Sequence, residues 1–365
     1  MIVAADDRRF MQLALALGRR GQGNVWPNPS VGCVIVRDNT IVGRGWTASG
    51  GRPHAETQAL AQAADRSHGS DVYVTLEPCA HQGQTPPCAQ ALIDAGVKRV
   101  VVATGDPDPR VAGKGIAMLR DAGITVEFGV CEREANRDHV GFFSRITKNR
   151  PFVTLKLALS VDGRIATGTG DSQWITGATA RRTVHAMRMR HDAIMVGAGT
   201  VRADDPTLTV RGLGSLRQPV RVVVSRKIDL PQDSQLAKTA ETAPLWICHG
   251  PDQDSAATLW ALKGAKVIEC ALGNGQVDMA NALNALADRG LTRVFCEGGG
   301  ALAASLLRAD LVDELVVFTG GVAIGAEGIP GLAALGVETL SEAPRFSLYD
   351  HRKVDQDSMS IWTRN

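Results

Sequence analysis

The stretch TLEPCAHQGQTPPC, residues 75–88, read together with PHAE at residues 53–56, decides what the first half of the chain is. His54 and Glu56 fall at the start of an expected helix, His54 to Ala64, and Cys79 and Cys88 follow an expected strand, Asp71–Leu76. One histidine and two cysteines can therefore converge on one metal ion, and zinc accepts that mixture of nitrogen and sulfur. Three protein ligands leave a fourth position for water, which zinc acidifies enough to yield hydroxide near neutral pH. Glu56, two residues from the histidine on the same turn, can reach that water without binding the metal. It can then carry protons while a ring carbon of amidine type is attacked and ammonia departs. The spacing leaves one alternative open, a closed structural site completed by a fourth ligand such as His81.

Working outward, Phe10, Leu13, Ala14 and Leu17 give residues 6–20 one apolar helical face, ended by Gly21 and Gly23. Val31–Val36 and Ile41–Val42, separated by Arg37 to Thr40, suit a hairpin. Helices are expected at Cys88–Ala95 and from Gly113 to Ala122, with a strand at Arg99–Ala103 between them, an α/β alternation. The periodicity breaks over residues 141–151 before a fresh strand, Phe152–Ala158, which puts a domain boundary at residue 147 and predicts domains 1–147 and 148–365. Beyond it, strands at Ala193–Val196, Val220–Val224, Leu245–Cys248, Lys266–Glu269, Arg293–Cys296 and Glu314–Phe318 alternate with helical segments and predict a second α/β unit. The halves are not duplicates, since metal-type spacing occurs only in the first.

Composition agrees with two domains: 365 residues at 44% hydrophobic and 21% charged bury substantial cores. Lys plus Arg total 40 against 38 for Asp plus Glu, so the formal charge of +2 gives no reason to expect a nucleic-acid partner. Seven scattered cysteines and the start MIVAADDRRF, with neither a basic region nor an apolar core, predict a reduced, cytoplasmic setting. No apolar run reaches the roughly 18 residues of a membrane span, so a soluble protein without a membrane partner is expected.

Pro27–Gly32 (PNPSVG), PHAE and TLEPCAHQGQTPPC resemble the deaminase half of bacterial bifunctional riboflavin-biosynthesis enzymes. The long Cys79–Cys88 interval favours that branch over cytidine and tRNA-adenosine deaminases. The resemblance implies a cytidine-deaminase-like α/β/α domain, Zn2+ held by His54, Cys79 and Cys88, Glu56 as the proton carrier, and Asn28 against the pyrimidine. The chain departs from the family at Thr47, often His, at Gln84, often Lys or Arg, and at Asp108, often Asn. These departures spare the metal chemistry but bear on the substrate phosphate, because Gln84 supplies no charge. Arg52 is the candidate that compensates.

In the second half, KLALSVDGRIA (156–166), SQWIT (172–176), GTVRADDPTLTVR (199–211) and EGGGAL (297–302) place polar side chains near strand ends, where α/β folds collect ligands. Gly298 to Gly300 lead into an expected helix, Ala301–Leu307, a turn that can admit a pyrophosphate although it lacks GxGxxG. Taken alone, SQWIT reads equally as a solvated turn with a core Trp.

Together these segments resemble the family's reductase half, whose α/β fold is similar to dihydrofolate reductase. The resemblance implies NADPH at Ala158, Trp174, Thr200, Asp204 and Ser225 and along Gly299, Gly300, Ala301, Leu302, Ala303, Ala304 and Ser305. It implies a substrate pocket of Ser172, Arg188, Leu208, Arg211 and Glu297, with the two arginines at the ribose phosphate. Lys156 is the candidate that orients or polarises the reacting group. The implied substrate is the diamino-ribosylamino-pyrimidinone 5′-phosphate, deaminated and then reduced to the amino-ribitylamino-pyrimidinedione 5′-phosphate, in a homo-oligomer. Two rival readings are a tRNA or nucleotide deaminase with a degenerate C-terminal domain, and a zinc-stabilised nucleotide-binding regulator without turnover.

Overall fold

Alternation along β1 (Gly32–Arg37) organises the first half of the molecule. Cys33 and Ile35 face one apolar cluster and Val34 and Val36 face another, so the strand is covered on both sides. The structure is a computed structural model and describes residues 5–81, 86–214 and 217–364. It divides into two units, Met1–Asn149 and Arg150–Asn365.

In the first unit, β1 pairs antiparallel with β2 (Thr40–Trp46) and with β3 (Asp71–Val74), and β4 (Arg99–Val102) and β5 (Thr125–Phe128) continue parallel from β3. The sheet order is β2-β1-β3-β4-β5. Asp38 and Asn39, both with positive φ (48° and 59°), make the tight hairpin turn. α2 (Ala55–Ala63), α3 (Cys88–Asp94) and α4 (Lys114–Asp121) pack residues such as Ala59, Leu92 and Leu119 on one face. α1 (Ala5–Gly18) packs Phe10, Met11 and Ala14 on the other.

The expected break over residues 141–151 is instead the second half of a helix, α5 (Glu132–Lys148), which ends on Asn149 in the left-handed region. Its buried positions, Ala135, His139 and Phe142, recur at helical spacing, but with a histidine among them and charges all around the stripe is faint in the sequence. Residue 147 therefore lies in the last helical turn.

The second unit contains β6 (Phe152–Ser160), β7 (Arg164–Ala166), β8 (Ala193–Gly197), β9 (Val220–Val224), β10 (Leu245–His249), β11 (Lys266–Glu269), β12 (Leu272–Gly273), β13 (Gln276–Val277), β14 (Arg293–Cys296), β15 (Glu314–Gly320), β16 (Ile329–Pro330), β17 (Ser347–Val354) and β18 (Asp357–Thr363). Its main sheet runs β11-β10-β9-β8-β14-β6-β15-β18-β17, parallel up to β15 and antiparallel through the last hairpin. β8 is an apolar run and β9 is apolar apart from Arg221, and both are buried along nearly their whole length, as parallel strands covered on both faces require. The helices are α6 (Ala178–Arg188), α7 (Ala198–Asp204), α8 (Gln235–Lys238), α9 (Asp254–Leu262), α10 (Met279–Asp288) and α11 (Gly300–Arg308). The closing hairpin β17–β18 was not expected, because β17 is exposed along most of its length and carries no apolar alternation to read. Among the described residues, no helix is long and apolar enough to cross a membrane.

The approach of α2 to β2 places the first site. A Cβ on Gly45 would lie 2.1 Å from the Ala55 carbonyl oxygen, so glycine is what lets the helix bearing His54 and Glu56 lie on the strand. Gly45→Ala is therefore expected to destabilise the first unit by about 1–3 kcal/mol, the usual cost of overpacking. Urea unfolding measures this, and an unchanged midpoint would show that the contact relaxes freely.

Candidate active sites

His54 is the residue that opens α2, with extended backbone (φ −70°, ψ 164°), so its ring leaves the helix end while Glu56 sits in the first turn. Cys79 lies beyond the end of β3, and Cys88 is the first residue of α3. His54 Nδ1 is 3.3 Å from Cys88 Sγ and 3.8 Å from Cys79 Sγ, and the three ligand atoms lie within 4.8 Å of one another. Tetrahedral zinc with bonds of roughly 2.1 Å to nitrogen and 2.3 Å to sulfur spaces its ligand atoms about 3.6–3.8 Å apart, so this donor set fits zinc. No fourth His, Cys, Asp or Glu joins the cluster among the described residues. His81 instead lines the adjoining cleft, with a buried Nδ1 that has no hydrogen-bond partner.

Glu56 is 4% exposed. Burial, followed by the charge of Cys79, pushes its carboxyl up to about 7. Hydrogen bonds from Cys88 and then His54 hold Cys79 down to about 4, and the same contact pushes the Cys88 thiol up.

The cleft beside this cluster has a volume of about 340 Å³ and is lined by Asn28, Thr47, Arg52, Asp108, Arg110 and Arg145 among others. Gly51, at φ +88°, closes on Asn28: a Cβ there would meet Asn28 Nδ2 at 1.9 Å. Thr47 is buried and ties down the loop that carries Asn28. Its hydroxyl accepts the Val31 N–H and donates to the Pro29 carbonyl, both at 3.0 Å. Asp108 accepts the Arg110 backbone N–H at 2.9 Å and the Arg110 Nε at 3.0 Å, so it holds a guanidinium at the cleft. Sequence reading missed Arg110 and Arg145. The Asp-Pro-Arg spacing of residues 108–110 was the available signal for the first. Gln84 lies outside the described residues.

In the second unit, Ala158 lies on β6, Thr200 in α7 directly after β8, Ser225 directly after β9 and Glu297 directly after β14, on the C-terminal side of parallel strands. Glu297 follows β14 and accepts from Arg188 Nε at 2.5 Å and Nη2 at 3.1 Å, with Lys156 Nζ 3.9 Å away. Burial would raise the Glu297 carboxyl, but Arg188 and Lys156 outweigh it and leave the group below its ordinary value. Burial lowers Lys156. Arg188 also donates to the Thr209 carbonyl at 2.9 Å, and the Arg211 backbone N–H donates to His185 Nδ1 at 3.2 Å. Thr200 Oγ1 accepts the Gly299 N–H at 3.2 Å, joining α7 to the turn before α11.

Several expectations change in detail. Leu208, with φ 52°, is 3% exposed and packs in the apolar cluster of Ile194 and Val201, so its backbone rather than its side chain can meet a ligand. Leu302, Ala303 and Ala304 bury their side chains, and the Ala303 N–H is already given to the Gly299 carbonyl. The N–H groups at the α11 start, up to Leu302, are those a pyrophosphate can use. Ser225 is buried and donates to Asp229 Oδ1 at 3.1 Å. Trp174 is no core residue: it is 66% exposed, with the Arg181 guanidinium 4.3 Å from its ring centroid. Ser172 is half-buried, Ala158 lies on β6 and Asp204 ends α7.

Comparison with known proteins covers both units. Residues 4–104 match the family model described as cytidine and deoxycytidylate deaminase zinc-binding region, and residues 151–359 match the RibD C-terminal domain. The chain is 41% identical over 337 residues to the riboflavin biosynthesis protein RibD of Aquifex aeolicus, covering 92% of each chain. It is 39% identical to that of Escherichia coli, covering 96% of this chain and 98% of that one. Among solved structures, Acinetobacter baumannii RibD superposes with a TM-score of 0.88 at 38% identity, over 99% of each chain. A Thermotoga maritima diaminohydroxyphosphoribosylaminopyrimidine deaminase/reductase superposes at 0.86 with 34% identity, again over 99% of each.

Replacing Cys79 by Ser is expected to drop the zinc content from about one ion per chain to well below it, since three ligands are the minimum this open site offers. Plasma mass spectrometry of the purified variant reads this directly. Full zinc retention would mean that the metal is held elsewhere.

Proposed function

The chain belongs to the RibD family of bifunctional riboflavin-biosynthesis enzymes, and from that membership we propose how its own residues divide the work. It is a zinc-dependent pyrimidine deaminase of cytidine-deaminase-like fold, joined to an NADPH-dependent reductase of dihydrofolate-reductase-like fold. The first activity deaminates the diamino-ribosylamino-pyrimidinone 5′-phosphate; the second reduces the ribosyl group to ribityl. The observation that carries the reading is the convergence of His54 Nδ1 with the Cys79 and Cys88 sulfurs beside a buried Glu56.

In the deaminase, His54, Cys79 and Cys88 hold the metal. When bound, zinc supplies the Lewis acidity that lets water act as a nucleophile near neutral pH. Glu56, pushed up to about 7 by burial, both accepts and returns a proton at ambient pH: it takes one from the attacking water and passes it to the ring nitrogen, then takes a second from the hydroxyl now on the ring carbon and gives it to the leaving amine. The exocyclic C–N bond breaks, ammonia leaves and a carbonyl remains. Asn28 orients the pyrimidine. Arg52 takes the place of the missing charge at Gln84, and Arg110 and Arg145 add positive charge to the same cleft.

In the reductase, NADPH supplies the hydride when bound. The free N–H groups at the start of α11 suit its pyrophosphate, with Thr200 fixing the turn before them and Ala158, Trp174, Asp204 and Ser225 as further contacts. Glu297 and Arg188 grip each other, so of the two arginines we assign Arg211 to the substrate phosphate, while Arg188 orders Glu297 and Thr209. Lys156, beside Glu297, orients the opened sugar. Seven unpaired cysteines support a reducing, cytoplasmic location, and the family supports a homo-oligomer, which light scattering tests.

Relatives that span both halves disfavour a tRNA or nucleotide deaminase with a degenerate C-terminal domain. Mass spectrometry of the zinc-loaded protein with the pyrimidine phosphate is expected to show exchange of an amine for oxygen without NADPH, and a further gain of two hydrogens with it. Glu56→Gln should slow the first change by about 10²–10⁴-fold, the usual worth of a proton carrier, with zinc retained. A fully active Glu56→Gln would end this mechanism, and a folded wild-type chain without either change would favour the regulator. Lys156→Ala should slow only the second change; undiminished turnover would remove Lys156 from the site.

A further inference from the structure

His185 and Arg188 lie three residues apart on α6 and so share one face of the helix. Both reach the same short segment, Thr209–Arg211, which belongs to no strand or helix. Arg188 donates to the Thr209 carbonyl at 2.9 Å, and His185 Nδ1 accepts the Arg211 N–H at 3.2 Å. Between them, Val210 is held from the other side by Gln218, whose Oε1 accepts the Val210 N–H at 2.8 Å and whose Nε2 donates to the Val210 carbonyl at 3.3 Å. Among the described residues, the hydrogen bonds that hold the backbone of these three consecutive residues come from side chains, where a sheet would normally supply them.

The bond to Arg211 requires a bare nitrogen at Nδ1 and therefore a proton on Nε2. Burial, then the charges of Arg188 and Arg211, keep the imidazole below its ordinary value, while Glu297 and the Thr209 carbonyl act in the opposite sense. The ring is neutral near pH 7, as the acceptor role demands.

We propose that His185 is a positioning residue of the reductase site: by accepting the Arg211 N–H it holds the Arg211 side chain where the phosphorylated substrate binds, and it takes no part in hydride transfer. This rests on the reading of Arg211 as a substrate-phosphate ligand. Arg211 is exposed and its backbone lacks sheet support, so without His185 its guanidinium would sample more positions and lose order that binding must then restore. Arg188 is half-buried and paired with Glu297, and does not need that help.

The test uses the full zinc-loaded chain, the deaminated ribosylamino-pyrimidinedione phosphate and NADPH, with oxidation of NADPH followed spectroscopically. His185→Ala is expected to raise the substrate KM about tenfold, the equivalent of one net hydrogen bond, with kcat held within about twofold. His185→Asn, whose Oδ1 can accept the same N–H, should recover most of the loss. NADPH affinity and the thermal midpoint, measured for both variants, report on folding. An unchanged KM in His185→Ala, a kcat that falls as far as KM rises, or His185→Asn no better than Ala would each overturn the proposal. Arg211→Ala separates the premise: if it leaves KM unchanged, the phosphate reading of Arg211 fails, whereas a raised KM there with a normal His185→Ala fails this inference alone.

Discussion

A buried backbone N–H must find an acceptor, and in both units a carboxylate at a strand end supplies it. Glu77, nearly inaccessible, accepts the N–H groups of Gly113 and Gly115 at 3.0 Å and of Ile116 at 3.3 Å, the unpaired donors at the start of α4. Because Pro78 and Cys79 follow directly, the same bonds that cap the start of α4 also anchor the chain beside Cys79. In the second unit, Asp192 Oδ2 accepts the N–H groups of Thr292 and Arg293 and joins the start of β8 to that of β14, and Asp313 accepts the Val153 N–H at the start of β6. The strands whose far ends carry the reductase residues are thus aligned from their near ends.

On that frame each site holds charge that burial alone would expel. Glu56 answers burial by a raised pKa beside a cluster of metal-ligand type, and Glu297 by pairing with Arg188 and Lys156. A buried ion pair of this kind adds little net stability, but losing one partner strands the other. Its value here lies in orientation: Arg188, held by Glu297, becomes a rigid donor to Thr209. Thr47 and Asp108 act in the same manner. Thr47 secures the Asn28 loop through its backbone, and Asp108 aims Arg110 at the cleft.

Local signals made much of this legible. The period-two run of β1, the apolar runs of β8 and β9, and the helix after His54 stand at or within a residue or two of where the pattern puts them. The second half of α5 and the hairpin β17–β18 were hidden, since a helix with a faint apolar stripe and an exposed edge strand leave little periodicity. Leu208 and Leu302 to Ala304 show another limit: a motif marks a segment as near a ligand, but only packing decides whether a side chain faces it or the core.

The sequence by itself determined the His/Cys donor types, the acid two residues from the histidine, the two α/β units and the glycine turn before α11, because each is written in residues close along the chain. Tertiary structure alone decided which distant groups meet. Cys79 and Cys88 reach His54 through the sheet, Arg110 is aimed by Asp108, and His185 of α6 takes the Arg211 N–H from a loop elsewhere in the chain. Such pairings depend on register and packing across the sheet, and no local pattern of residue types records them.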